Sequence, residues 1–255
     1  MYYKYHETNI YYEKYGSSNK TILILPGWGN TRKTFNEIIN TLKKQYTIYI
    51  FDYPGFGNSP TLTKNLTIYD YAEIFYAFIN QENINNISII SHSFGGRIAS
   101  ILIGKYHLNV EKLILIDVAG IKRINIKIII KQYIYKFLKF LTIILPLKHR
   151  YLIRKKLLLR YSSQDYLALP KNMYKTFKNI IKENLYKYYK KIKVSTLIIW
   201  GQNDESTPLK DAKTLHRIIK NSKLMVLNNT HHFSYLEKTE ETINLIYNFI
   251  KKKIN

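Results

Sequence analysis

Ile89-Ile90-Ser91-His92-Ser93-Phe94-Gly95-Gly96-Arg97-Ile98-Ala99 is the stretch on which the reading of this chain turns. A β-branched apolar run ends in two serines flanking a histidine. Two glycines follow, then a segment able to start a helix. The order is that of a strand, a sharp turn with Ser93 at its apex, and a helix. Such a turn lifts the hydroxyl out of the sheet and aims the helix N-terminus at the place where negative charge would form. Ser91 stands where the pattern usually has glycine, and it is small enough for a strand and helix that come close together. On this segment alone the residues also suit a buried strand followed by helix-capping serines.

A serine nucleophile needs a base, and the base needs an orienting acid. Downstream, Thr196-Leu197-Ile198-Ile199-Trp200 reads as a buried strand running into Gly201-Gln202-Asn203-Asp204-Glu205-Ser206-Thr207-Pro208. Asp204 thus falls just past the carboxyl end of a strand, where open α/β sheets place functional groups. Pro208 suits the first turn of a helix, and Asp204 could equally cap that helix. The run Leu224-Met225-Val226-Leu227 leads to Asn228-Asn229-Thr230-His231-His232, so a histidine also follows a strand end. Serine, acid and histidine occur in the order the strand–turn–helix arrangement requires. Asp117, at the end of the strand-like run 113–117, is the alternative acid. Upstream, Thr21-Ile22-Leu23-Ile24-Leu25 runs into Pro26-Gly27-Trp28-Gly29-Asn30. A glycine-rich turn here can offer a backbone N–H to an oxyanion. By position the donor is Trp28, and the residue after the serine, Phe94, supplies the second.

Five segments together resemble the α/β-hydrolase superfamily. Leu25 to Gly29 is similar to its oxyanion segment, with Pro26 where histidine is usual. Asp52-Tyr53-Pro54-Gly55-Phe56-Gly57-Asn58-Ser59 resembles its Asp-x-x-Gly-x-Gly-x-Ser loop. Ser91 to Gly96 resembles the elbow, Gly201 to Pro208 the acid loop, and His232-Phe233-Ser234-Tyr235-Leu236-Glu237 the histidine segment. This alignment selects His232 over His231. The resemblance implies a mostly parallel eight-stranded sheet flanked by helices, with a helical cap inserted after the sixth strand. It implies a catalytic triad of Ser93, Asp204 and His232, an oxyanion hole of the Trp28 and Phe94 N–H groups, and no metal or cofactor. The activity expected is that of a small carboxylesterase. C–C bond hydrolases and cofactor-free haloperoxidases share the triad, and a catalytically weak, ligand-binding relative is a further alternative.

With 255 residues and 46% hydrophobic content the chain can form one α/β domain with a sizeable core. It has no cysteine, which excludes disulfides, thiolate metal sites and a thiol nucleophile. No signal-peptide core and no run of about 18 uncharged apolar residues is apparent, so a cytoplasmic protein is expected. The net charge is +23, from 40 Lys and Arg against 17 Asp and Glu. Lysine, isoleucine, asparagine and tyrosine all have AT-rich codons, so the charge reads first as compositional bias. A weak association with anionic surfaces or with an acidic carrier protein is compatible with it. Nucleic acid is not an expected partner.

Residues 1–15 alternate tyrosine with polar groups, as a half-exposed hairpin does. Strands alternating with helices then imply a parallel sheet with right-handed crossovers. A helix near 68–82 begins at Thr67, with Asp70 three residues on in the capping-box position. The alternation breaks between Ala119 and about Lys193, and residues 120–193 are assigned to the cap, with 1–119 and 194–255 as the core. Across Ile126–Leu147 the lysines at 127, 131, 136 and 139 fall within about a half-turn of arc. The opposite Ile, Leu, Phe and Tyr face is expected to pack on the core. A membrane-surface helix would suit the same lysines and aromatics.

Overall fold

The computed structural model describes residues 1–30, 32–62, 64–122, 126–161, 167 and 169–252. The tyrosine-rich start forms the antiparallel hairpin β1 (Tyr2–Tyr5) and β2 (Thr8–Tyr15). There follow β3 (Thr21–Leu25), a 3-10 turn at Arg32–Phe35, α1 (Asn36–Leu42), β4 (Thr47–Phe51), α2 (Ile68–Gln81), β5 (Ile87–His92), α3 (Phe94–Gly104) and β6 (Leu113–Ile116). A helical stretch comes next, with α4 (Ile126–Leu141), α5 (Leu147–Tyr161), α6 (Tyr174–Lys182) and α7 (Tyr186–Tyr189). The chain returns to the sheet with β7 (Thr196–Gly201), α8 (Leu209–Ile218), β8 (Ser222–Leu227), α9 (Ser234–Glu237) and α10 (Thr239–Lys251).

The eight strands form one sheet in the order β1-β2-β4-β3-β5-β6-β7-β8. Pairing is antiparallel from β1 to β2 and from β2 to β4, and parallel from β4 onward. Strands β3 to β7 are buried on both faces, which is why they read as unbroken apolar runs. Alternation splits their side chains between two layers. Leu23 and Leu25 join α2, α3 and α8 in one core, whereas Ile22 and Ile24 join α1 and α10 in the other. The capping box at the start of α2 forms as expected. Thr67 Oγ1 accepts the Asp70 N–H, and Asp70 Oδ2 accepts the Thr67 N–H at 2.7 Å.

One expectation is overturned. The apolar face of α4 does not pack on the core. Ile130, Tyr133, Ile134, Phe137, Phe140 and Leu141 are all exposed. The reason lies in what α4 meets: its half-buried Tyr135 faces Tyr161 of α5, ring centroids 6.0 Å apart, and the two helices pack chiefly on each other and on the turn between them.

Candidate active site

Ser93 occupies the N-cap position of α3, yet its side chain makes no capping bond. Its backbone has φ 47°, a left-handed conformation that few side chains adopt. The surroundings impose it. The Ser93 N–H bonds Ile116 O at the end of β6, and its carbonyl accepts from both Gly96 and Ala119. Close approach sets the residue types on either side. A Cβ on Gly95 would lie 2.0 Å from Leu25 O, and one on Gly96 would lie 2.3 Å from Val118 Cβ. Ser91 is accommodated because its hydroxyl donates to Ile114 O within the sheet. Gly95→Ala should therefore displace α3 from β3. The expected outcome is loss of at least about 3 kcal/mol of stability, read from a urea unfolding midpoint, since a clash with backbone cannot be relieved by a rotamer change.

Freed from capping, Ser93 Oγ lies 2.9 Å from His232 Nε2, and His232 Nδ1 lies 2.9 Å from Asp204 Oδ2. The structure thus brings together the three side chains singled out from the sequence. Asp204 is not the cap of α8. Its Oδ1 accepts from the backbone N–H groups of Ser206 and Thr207, both at 2.8 Å, while Oδ2 accepts the Thr207 hydroxyl at 2.6 Å. Burial pushes the Asp204 carboxyl up, but the hydrogen bond and charge of His232 and the Thr207 donors outweigh it and hold it below the ordinary carboxylate value. His231 turns away, and its ring and backbone N–H both meet the Glu237 carboxylate.

Asp117 is buried close by but makes no hydrogen bond to His232. It accepts the Gly201 N–H at 2.7 Å, the Ser234 hydroxyl at 2.5 Å and the Ser234 N–H at 3.3 Å. It ties the ends of β6 and β7 to the start of α9, behind the His232 loop. Burial pushes its carboxyl up to about 7.

The loop from Asp52 to Ser59 is structural by the same test. Asp52 is buried, accepts the Asn58 N–H at 2.8 Å, and faces Arg32 at 3.3 Å. Gly57 has φ 53°, and a Cβ there would sit 2.2 Å from Asp52 Oδ2. The motif folds a turn that holds Tyr53, whose hydroxyl donates to Pro26 O at the start of the glycine-rich segment 26–30.

Trp28 and Phe94 both border a cavity of about 190 Å³ that opens on Ser93 and His232. Among the described residues neither backbone N–H has a backbone acceptor. Phe177, Ile180 and Ile181 of α6 close the opposite wall. A larger basin of about 1150 Å³ lies at the other rim, by the amino ends of β6 and β7, remote from these groups.

Three contributors escaped the sequence reading. The Thr207 hydroxyl lies between the Asp204 carboxylate, at 2.6 Å, and the main-chain carbonyl of Asp117, at 3.0 Å; its place three residues after Asp204 was the available signal. His92, fully buried, lies 2.8 Å through Nε2 from His232 O. Burial and the neighbouring His232 bring its pKa down to about 3, so it is neutral and donates there. Arg97 also lines the cavity, and its Nη1 donates to Ile180 O and Glu183 O, both at 3.2 Å. It falls one helical turn from Ser93, a spacing that puts both on one face of α3.

The comparisons agree with this fold. The family model described as the alpha/beta hydrolase fold matches residues 20–133. The chain is 25% identical to the uncharacterized hydrolase YugF of Bacillus subtilis, over 95% of this chain and 94% of that protein. It is 23% identical to the 2-hydroxy-6-oxononadienedioate/2-hydroxy-6-oxononatrienedioate hydrolase of Escherichia coli K12, over 95% of this chain and 91% of the relative. Among solved structures, an esterase from Exiguobacterium antarcticum superposes with TM-score 0.72 at 23% identity, covering 96% of each chain. The chain has the α/β-hydrolase fold.

Proposed function

We propose that the protein is a serine hydrolase that cleaves carboxylic esters with small or medium acyl groups. The observation that carries this reading is the unbroken chain of hydrogen bonds from Ser93 through His232 to Asp204, opening on a cavity. Ser93 Oγ attacks the carbonyl carbon while His232 Nε2 takes its proton. Asp204 holds the imidazole tautomer and stabilises the imidazolium. The N–H groups of Trp28 and Phe94 receive the oxyanion, a contribution of roughly 10²–10³ in rate for each donor. His232 then protonates the leaving alcohol, and water hydrolyses the acyl-enzyme by the same steps in reverse. Residues 120–193 serve as the cap, with α6 supplying the wall that limits the acyl chain.

A second reading on the same three residues, hydrolysis of a C–C bond in an acidic substrate, is favoured by Arg97. Among the described residues no carboxylate pairs with it, since Glu183 directs its own carboxylate to Tyr69 at 3.2 Å. The Escherichia coli relative acts on a dioate by its name. A panel of p-nitrophenyl esters tests both. A cavity of about 190 Å³ should favour acetate and butyrate over decanoate by about tenfold or more in kcat/KM. A preference of similar size for a half-ester of a dicarboxylic acid over its neutral isostere would move the assignment to acidic substrates. Absence of turnover on every ester would refute the esterase reading.

A further inference from the structure

We infer that α4, the turn after it and α5 form a docking hairpin for an anionic lipid surface. Four observations meet there. First, the exposed residues Ile130, Tyr133, Ile134, Phe137, Phe140 and Leu141, between 43% and 68% accessible, fall within about 120° of arc at helical spacing. This is an apolar stripe of the width that normally faces a core, here turned to solvent. Second, the stripe runs on into the turn, where Ile144 is 86% exposed and Leu147 77%. Third, residues 126–161 contain ten Lys and Arg and no Asp or Glu. Fourth, the turn is built rather than loose. Arg150 Nη2 donates to Ile143 O and Leu145 O, Arg154 Nε donates to Thr142 Oγ1 at 2.8 Å, and the buried Thr142 hydroxyl donates to Lys139 O at 2.6 Å. The apolar tip is therefore held outward by its own hydrogen bonds.

An apolar stripe bordered by cations and free of anions matches a helix lying in the plane of a lipid headgroup layer. The stripe enters the acyl boundary, while lysines reach back to the phosphates. The charge excludes a zwitterionic surface as the best match and favours anionic lipid. Spanning is a separate matter: among the described residues no helix is long and apolar enough to cross a membrane. The hairpin leaves from the carboxyl end of β6, the rim that carries Ser93, and the chain returns through α6, whose side chains wall the Ser93 cavity. Docking through it would set that cavity toward the lipid. The inference does not depend on which bond Ser93 attacks.

Co-sedimentation of the full chain with vesicles tests it. Vesicles of phosphatidylcholine containing roughly one-third phosphatidylglycerol should bind the protein at least about tenfold more tightly than phosphatidylcholine alone, with affinity falling as salt rises. The double variant Phe137→Ser, Ile144→Ser should lose about tenfold or more of that binding, while its thermal midpoint and its turnover of p-nitrophenyl butyrate stay at the parent values. Lys136→Gln combined with Lys139→Gln, which leaves the apolar stripe intact, should reduce only the preference for phosphatidylglycerol. Equal binding to both vesicles, no binding to either, or parent-like binding by the serine variant would overturn the inference. A concentration-dependent dimer abolished by the serine substitutions, without vesicle binding, would instead assign the face to a second copy of this chain.

Discussion

Ser93→Ala is expected to remove all labelling by a fluorophosphonate probe and to lower ester kcat by about 10⁴–10⁶. The size of the effect follows from the site's construction. The Ser93 hydroxyl lies 2.9 Å from His232 Nε2, and the other hydroxyl near that ring, Thr207, lies on the Nδ1 side at 3.3 Å. Removing the hydroxyl leaves the Trp28 and Phe94 N–H groups and the cavity, which would retain only the residual catalysis that binding supplies. The fold should be insensitive, because the bonds that hold position 93 are made by its backbone to Ile116, Gly96 and Ala119. A thermal midpoint within about 2 °C of the parent would show this. Labelling that survives the substitution would remove Ser93 from the mechanism.

The second large effect separates Asp204, the acid that the resemblance selects, from Asp117, the alternative at a strand end. Asp204→Asn should lower kcat by about 10⁴, since an amide facing His232 Nδ1 at 2.9 Å favours the wrong tautomer. Asp117→Asn should leave kcat within about threefold and act on stability instead. Its carboxylate accepts three hydrogen bonds from Gly201 and Ser234, and an amide nitrogen there would face donors. The pH dependence distinguishes them further. Folded Asp117 titrates near 7, against an ordinary 3.8, because burial disfavours its charge. The native state then holds a proton that the unfolded chain has released. This contribution to stability is fully present below about pH 4 and is lost as pH rises through about 7. Urea midpoints at about pH 5 and about pH 8 should therefore differ more in the parent than in Asp117→Asn. An inactive Asp117→Asn beside an active Asp204→Asn would exchange the two roles.

What could be read beforehand divides along physical lines. The sheet was legible because β3 to β7 are buried on both faces, so that period-two alternation is replaced by continuous apolar runs. Ser93, Asp204 and His232 were legible because each follows such a run by only a few residues. Strand-end position did not separate Asp204 from Asp117, and only the resemblance of the 201–208 loop favoured Asp204; in the structure Asp117, with φ 46°, directs its carboxylate to Gly201 and Ser234. Thr207 and Arg97 were hidden for the opposite reason, as ordinary residue types whose roles arise from neighbours distant in sequence. The orientation of α4 was misjudged because helical spacing defines a face without saying what it meets. The lysine distribution was the same in either case.

Ser93 and His232 are 139 positions apart in the chain, and the strands that carry them are separated by β6 and β7 in the sheet. Their contact is thus made only after three further parallel crossovers have closed, each a slow, non-local event. Helices such as α2, with its local capping box, can form early on their own. During synthesis or refolding Ser93 therefore gains its imidazole partner among the last contacts, and a nascent or truncated chain lacking the segment after β7 carries the Ser93 hydroxyl without His232.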